Sequence, residues 1–585
     1  MDDKQIELTI DGIKVKVNEG STILEAARKV SIDIPTLCFL KDINEVGACR
    51  MCLVEIEGAR SYAAACVQPA QAGMVVHTNT PALLDTKKTI LELILSAHEK
   101  KCLTCSRNQN CELQKLAKRF NIEDLDYEGE LPEKNMDTTS DCIVRNTAKC
   151  ILCKRCVNVC KNVQGVSAIS TLNRGFKSKI GVALDLGIKK STCVGCGQCV
   201  IHCPVAALSE KSNISELEKV LSEHKKHIII QTAPATRATI GEEFGAKIGT
   251  LVTNKLVSGL KKLGFDKVFD TDFAADVTII EEATEFISRL KNGGTLPMIT
   301  SCSSGWITFA EKFYPNLLSN LSTTKSPMEI MGTLVKTYYA RMMKIKPEDI
   351  YSVALMPCSA KKAEINREQL LLSGGIKAVD NVLTVREMAT LLKKNNINIL
   401  DLEDASFDSP LGISSGAGHI FGTTGGVMEA ALRSVSYLLD GTEIKNVEFK
   451  QTRGAKGIKE ATIQIEGKPH KIAVVQSLKN ASIVMDDIKN GKSKYSFIEI
   501  MTCPGGCING GGQPIIPESV SSRIDYKDLR AKALYKADKE STYRESHKNP
   551  DVKKLYNDFL IEPNGKIAHE LLHTYYTKQD CYKED

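Results

Sequence analysis

Apolar and polar residues alternate along QIELTIDGIKVKVNEGS on both sides of Asp11-Gly12, which predicts two short strands closed by a tight turn. A helix is expected next, because Thr22 and Glu25 stand at capping-box spacing ahead of ILEAARKV. Residues 84 to 120 read as helical, and NIEDLDYEGELPEKNMDTTSD reads as an acidic, polar connector. From about residue 212 helices alternate with apolar runs such as HIIIQTAP, TLPMITS, YSVALMPCS and KIAVVQS. That alternation predicts α/β lobes with sites at strand ends. Beyond residue 524 the tail reads as helical and charged.

A chain of 585 residues is too long for one core and should divide into several domains. Lys and Arg number 77 against 71 Asp and Glu, a net charge of +6 without long blocks of either sign, so neither a nucleic acid nor a membrane is expected as partner. No run approaches the roughly 18 apolar residues of a membrane span. The start, MDDKQIELTI, is acidic and strand-like rather than a basic, apolar signal peptide, which points to the cytoplasm. In such a reducing compartment the 21 cysteines are the anomaly, since clustered thiols there default to metal binding. Sixteen of them precede residue 204 and five follow, so a cysteine-dense arm joins a cysteine-poor body.

Cys150, Cys153, Cys156 and Cys160, then Cys193, Cys196, Cys199 and Cys203-Pro204, repeat C-x2-C-x2-C-x3-C twice. Three closely spaced thiolates hold three corners of a 4Fe-4S cubane, and the fourth cysteine of each run reaches the other cluster. Cys203 should therefore complete the set of Cys150, Cys153 and Cys156, and Cys160 that of Cys193, Cys196 and Cys199. Tetrahedral zinc, the alternative, usually takes two separated thiol pairs. Cys38, Cys49, Cys52 and Cys66 lie in a Gly- and Ala-containing loop region suited to a 2Fe-2S centre in a β-grasp ferredoxin domain, with zinc again the alternative. His98, Cys102, Cys105 and Cys111 give H-x3-C-x2-C-x5-C, a further 4Fe-4S set in which imidazole should raise the potential. Cys142 and Cys581 fit no set. Four clusters within about 205 residues make an electron wire that needs a destination.

In the body, Cys302 lies in TSCSSGW, Cys358 in MPCSAKKAE, and Cys503 and Cys507 in EIMTCPGGCINGGGQP. With these three segments the chain resembles the FeFe-hydrogenases over nearly its whole length, most of all the catalytic subunits of multimeric NAD(P)-linked enzymes. The resemblance implies reversible H2 oxidation and proton reduction at an H-cluster, a 4Fe-4S cubane joined through a cysteine sulfur to a two-iron unit carrying CO, cyanide and a bridging dithiolate. It places Cys358, Cys503 and Cys507 on the cubane, with Cys507 as the bridge. Lys361 and backbone donors near Ala233 and Pro234 would meet the cyanides, and Pro327, Met356, Phe421 and Met501 would form the apolar wall. It also implies a proton relay of Cys302, Glu282, Ser322, Glu285 and Arg289. Taken alone, the Glu282, Glu285, Arg289 spacing describes an ordinary solvated helix face.

The family typically reads T-S-C-C-P-x-W, the first cysteine carrying a proton and the second binding the cubane. Here Ser303 occupies the second position and Ser304 that of the proline. Position by position Cys302 is the proton carrier and Ser303 the metal position; a register change would make Cys302 the ligand and Ser303 the weak acid. The intact relay favours the first. SGAGHIFG lacks the dinucleotide fingerprint and its strand-to-helix setting, so NAD(P)H would be handled by a flavin-bearing partner, ferredoxin being the other candidate donor, and maturation enzymes would supply the cofactor.

The expected architecture is a multidomain α+β chain: a β-grasp 2Fe-2S domain (1–80), a small helical His/Cys3 domain (81–125), a bacterial double 4Fe-4S ferredoxin domain (140–211), a two-lobed α/β H-cluster domain (225–524) and a helical small-subunit-like segment (525–585). A hydrogen sensor and a non-catalytic electron-transfer subunit are the rival readings. The intact relay argues against the first, and the three body segments argue against the second.

Overall fold

A computed structural model of the chain describes residues 4–127, 129, 135–443, 448–449, 452–453 and 457–583. The alternating start folds as expected, with Gln5–Ile10 antiparallel to Ile13–Asn18. Asp11 and Gly12 take φ of 45° and 81°, the left-handed pair that a two-residue hairpin turn requires. Gln5–Ile10 also runs parallel to Val75–His77, which extends the sheet through Leu53–Ile56 to Ala63–Ala64. Helix Ile23–Lys29 carries the anticipated Thr22/Glu25 capping box and buries Ile23, Leu24, Ala26 and Ala27 with the apolar face of the sheet.

The helical reading of 84 to 120 needs correction. Helix Pro81–Ser96 stops before His98, and the chain resumes helix only at Glu112–Arg119. Between them only Cys102–Thr104 makes a short turn, and Gln109 has a positive φ of 65°. An uninterrupted helix would spread these thiols along its axis, whereas a loop can gather them. The connector also hides an edge strand, since Met136–Asp137 pairs with Ile143–Asn146, itself paired to Leu208–Glu210. The buried Asp137 carboxylate accepts from Thr139 Oγ1 and from the Ile188 N–H, which ties this edge down. Residues 128 and 130–134 of the connector lie outside the described residues.

Beyond residue 225 two sheets form the body. One orders Lys267–Asp270, His227–Thr232, Ile350–Met356 and Asn381–Thr384, all parallel. The other orders Met298–Ile299, Phe497–Met501, Lys468–Gln476 and Ile458–Ile465, with only the last strand antiparallel. The 22-residue helix Thr271–Asn292 packs against Pro327–Leu334 and Gly426–Asp440, contributing Phe273 and Val277 to one apolar core and Ile279 and Phe286 to another. Strand ends from both sheets lead into the cysteine segments, the location expected for sites in α/β sheets. The tail helices Tyr526–Glu540, Pro550–Leu555 and Lys566–Leu572 pack on the body, where Asp538 pairs with the buried Arg433 at 2.7 Å. Among the described residues no helix is long and apolar enough to cross a membrane.

Candidate active site

All 21 cysteines are free thiols. In the N-terminal domain the sulfurs of Cys52 and Cys66 lie 3.2 Å apart, and Cys38 hydrogen-bonds to both Cys49 and Cys66, so the four thiols form one group. His98 is buried, its pKa lowered by that burial and by Lys149, and its Nδ1 has no hydrogen-bond partner. A neutral imidazole with an unpartnered nitrogen, four residues before Cys102, fits a soft or borderline metal, and Lys149, whose charge acts on His98, lies 3.7 Å from Cys105 Sγ. Asn44 Nδ2 donates to the carbonyls of Cys38 (2.6 Å) and Cys153 (3.1 Å), and Cys111 Sγ lies 3.8 Å from the Pro204 carbonyl. Both N-terminal thiol sets therefore abut the next domain.

There Cys150, Cys153, Cys156 and Cys203 line one small cavity of about 20 Å³, and Cys160, Cys193, Cys196 and Cys199 line another of about 30 Å³. The crossed grouping arises because each run turns into a short helix, Arg155–Asn158 or Gln198–Ile201, that carries its last cysteine toward the other run. Burial pushes Cys150 and Cys160 up to about 11 and Cys156, Cys196 and Cys199 well above the ordinary thiol range. Four thiolates around either void would need positive charge between them, which a bound metal cluster would supply.

The second of these cavities adjoins the body. Gln198 Nε2 donates to the Asn509 carbonyl at 2.7 Å, and Ser359 Oγ donates to that of Gly195 at 2.7 Å. A Cβ at Gly197 would come within 2.8 Å of Gly511 Cα, so glycine on both sides brings the Cys196 and Cys507 loops together. The Cys503 thiol accepts from the Gln198 side chain and the Gly511 N–H.

Between the two sheets lies a cavity of about 70 Å³, walled by Ala233, Pro234, Pro327, Met356, Phe421 and Met501. Cys302, Ser303, Cys358, Lys361 and Cys507 also line it, with the buried Cys503 neighbouring Cys358 and Cys507. Burial raises Cys358 despite N–H donors from Ala360 and Lys361, and lifts Cys507 to about 12. Lys361 would lose its proton more readily through burial, but Glu364 at 2.7 Å outweighs this and holds it charged. Its ammonium also lies 3.4 Å from the Cys302 carbonyl. A cation, buried sulfurs and an apolar wall suit an anionic iron cluster with unreactive outer ligands.

From this cavity polar groups run outward. Cys302 is kept protonated by burial and by the neighbouring Glu282. Glu282 is itself fully buried; burial and then Glu285 raise it to about 8, and its Oε2 has no partner. Ser322 Oγ donates to Glu285 Oε2 at 2.8 Å, and Arg289 Nη2 reaches Glu285 Oε1 at 2.6 Å near the surface. The carboxylates therefore occupy a buried helix face, not the solvated one that their spacing alone describes.

Several polar groups escaped sequence reasoning. Glu364 binds Lys361 and accepts from Ser304 and Ser326; Thr502 faces Ser303; and Glu499 takes N–H bonds from Gly425 and Met428, both 2.7 Å, with its pKa raised by burial to about 7. A single acid inside the apolar strand FIEIM was the available signal for Glu499. SGAGHIFG forms the short helix Gly416–Ile420 after a loop, with no strand leading into it.

Thiol sets that lead to a buried cavity with its own carboxylate–hydroxyl outlet define an iron–sulfur redox enzyme handling electrons and protons at one centre. Residues 226–511 match the iron only hydrogenase large subunit, C-terminal domain. Residues 3–81 match a 2Fe-2S iron-sulfur cluster binding domain, 87–125 the NADH-ubiquinone oxidoreductase-G iron-sulfur binding region, 149–207 a 4Fe-4S dicluster domain, and 524–579 the iron hydrogenase small subunit. The chain is 43% identical to the NADP-reducing hydrogenase subunit HndD of Solidesulfovibrio fructosivorans, covering 98% of this chain and 99% of that one. It is 40% identical to iron hydrogenase 1 of Clostridium pasteurianum, over 98% of this chain and 100% of that protein. A solved structure of the FeFe-hydrogenase HydA1 from Chlamydomonas reinhardtii aligns with a TM-score of 0.55 at 37% identity, covering 62% of this chain and 98% of that chain. The chain belongs to the FeFe-hydrogenase family and is an oxidoreductase acting on H2.

Proposed function

We propose that Cys358, Cys503 and Cys507 hold the cubane of an H-cluster, that Cys507 bridges it to a CO- and cyanide-bearing diiron unit in the 70 Å³ cavity, and that the arm feeds it through one 2Fe-2S and three 4Fe-4S clusters. The observation that carries this reading is the convergence of Cys302, Cys358 and Cys507, from three distant segments, on one apolar cavity with Lys361 in its wall. When bound, the cluster supplies the centre at which two protons and two electrons interconvert with H2. Lys361, anchored by Glu364, presents its ammonium to an anionic outer ligand, while Met356, Phe421 and Met501 exclude water. Cys302 Sγ holds the innermost proton. Glu282, Ser322 and Glu285 pass protons between it and the surface, where Arg289 pairs with Glu285 at 2.6 Å.

The thiol sets at the arm's two N-terminal domains make two electron inlets that merge at the Cys150 set, pass to the Cys193 set and end at Cys503. Similarity to a subunit of an NADP-reducing hydrogenase, together with the matched small-subunit segment, supports a multimeric setting in which flavin-bearing subunits handle NAD(P)H. Ferredoxin is the second electron partner compatible with a one-electron wire. The abundance of free thiols supports a reducing, cytoplasmic compartment. The test is hydrogen evolution from a reduced dye by chain matured with the cofactor-assembly enzymes. Activity is expected in wild type and lost in Cys503→Ala; equal rates in both would refute the assignment. NADPH-driven evolution is expected only after flavoprotein subunits are added.

A further inference from the structure

Adjacent residues in TSCSSGW face different surroundings. Cys302 packs beside Phe421 and Met501 with Glu282 and Cys507 as titratable neighbours, whereas Ser303 turns to the residue preceding Cys503. Ser303 Oγ lies 2.8 Å from Thr502 Oγ1 and accepts from the Thr502 N–H at 3.3 Å. Serine is among the preferred N-cap residues, and Ser303 occupies the N-cap of helix Ser304–Phe313, yet its side chain caps no N–H of that helix. Its oxygen is instead held at the cavity wall, between the positive end of a helix and the N–H and hydroxyl of Thr502. Among the described residues the Thr502 hydroxyl has no other hydrogen-bond partner, although Thr502 is buried. The Thr502 N–H donates to this oxygen and the Thr502 hydroxyl is placed to donate to it too, a setting that suits an oxygen that becomes anionic.

We propose that Ser303 Oγ is the fourth ligand of the cubane, an oxygen donor beside three sulfurs, with Thr502 as its positioning residue. This rests on the assignment of Cys358, Cys503 and Cys507 to that cubane. Ligation replaces the Ser303 O–H bond by an O–Fe bond; the proton passes to water during cluster assembly and no electron is transferred. A harder donor lowers the cluster's potential, and hydrogen bonds from Thr502 offset part of that effect.

The experiment uses the full chain loaded with iron and sulfide but without the diiron unit, read by iron content, Mössbauer spectroscopy, EPR and redox titration. The expected wild-type spectrum contains one iron distinct from the sulfur-ligated sites, which becomes ordinary in Ser303→Cys as the potential rises. Ser303→Ala should lose one iron per chain on mild oxidation and give a three-iron EPR signal. Thr502→Val should retain the iron and shift the potential downward. Iron retention and spectra unchanged in Ser303→Ala would overturn the proposal, as would loss of that iron in Cys302→Ala instead. If Cys503→Ala also leaves iron content and spectra unchanged, the cubane assignment itself fails.

Discussion

In the proposed relay Glu282 lies between the Cys302 thiol and the Ser322–Glu285 pair, so proton delivery should turn on it. Glu282→Gln keeps the shape but cannot carry a proton onward, so hydrogen evolution should fall roughly 10²–10⁴-fold, the usual contribution of a positioned acid–base group. Cofactor content, read by iron analysis, should be unchanged. The same carboxyl makes a stability prediction. Its folded-state pKa of about 8 stands above the ordinary 4.5, so its contribution is full below 4.5 and is lost as pH rises through 8. Denaturant melts of Glu282→Gln should lack this loss, and equal pH slopes in the two proteins would contradict the assigned pKa. Lys361→Met leaves Glu364 buried and unpaired and should cost about 3–5 kcal/mol in the same melts. The family resemblance indicated Lys361 and the two relay acids, and Glu364, three residues past Lys361, was within reach of local reading, but the bonds of Ser304 to Glu364 and of Ser303 to Thr502 were not. Hydrogen bonds between residues 60 or 199 positions apart leave no local pattern.

At the scale of elements, the hairpin, the first helix cap and the strands preceding Cys302 and Cys358 were legible because short-range chemistry determines them. The helix assumed across 84–120 was not broken by any proline or glycine between residues 97 and 111, and its apolar spacing concealed a thiol-gathering loop. The edge strand at Met136–Asp137 was hidden for another reason: pairing with Ile143–Asn146 and burial of Asp137 outweigh its weak intrinsic propensity. The Gly197–Gly511 crossing was equally invisible, since it joins segments more than three hundred residues apart. Gly511→Ala would drive a Cβ into the Cys196 carbonyl and to within 2.6 Å of Gly197 Cα. The two loops should separate, slowing electron transfer from the arm to the body while each thiol set retains its iron. Freeze-quench EPR after mixing with a reductant would register this as delayed reduction of the body cluster, and wild-type timing would rule out the crossing as the route.

For the whole molecule, the proposed function has two thiol inlets merging into one line that ends beneath the apolar cavity, with protons leaving that cavity by a separate helix face. Keeping the two routes apart lets Fe–S domains be added or exchanged without disturbing the relay. Cys52→Ala should therefore abolish transfer from a protein donor docking at the first domain, yet preserve turnover with a small dye that reduces the His98 set, as steady-state assays with each donor would reveal. The order of the cysteine sets was legible from their spacing, while the packing of the tail on the body was not, because its buried ion pairs join residues such as Arg433 and Asp538 across a long stretch of chain. The most direct measurement for the whole account is infrared spectroscopy of the full chain after maturation. Carbonyl and cyanide stretching bands from iron are predicted, disappearing in Cys503→Ala; a wild-type protein replete in iron but without those bands would contradict the account.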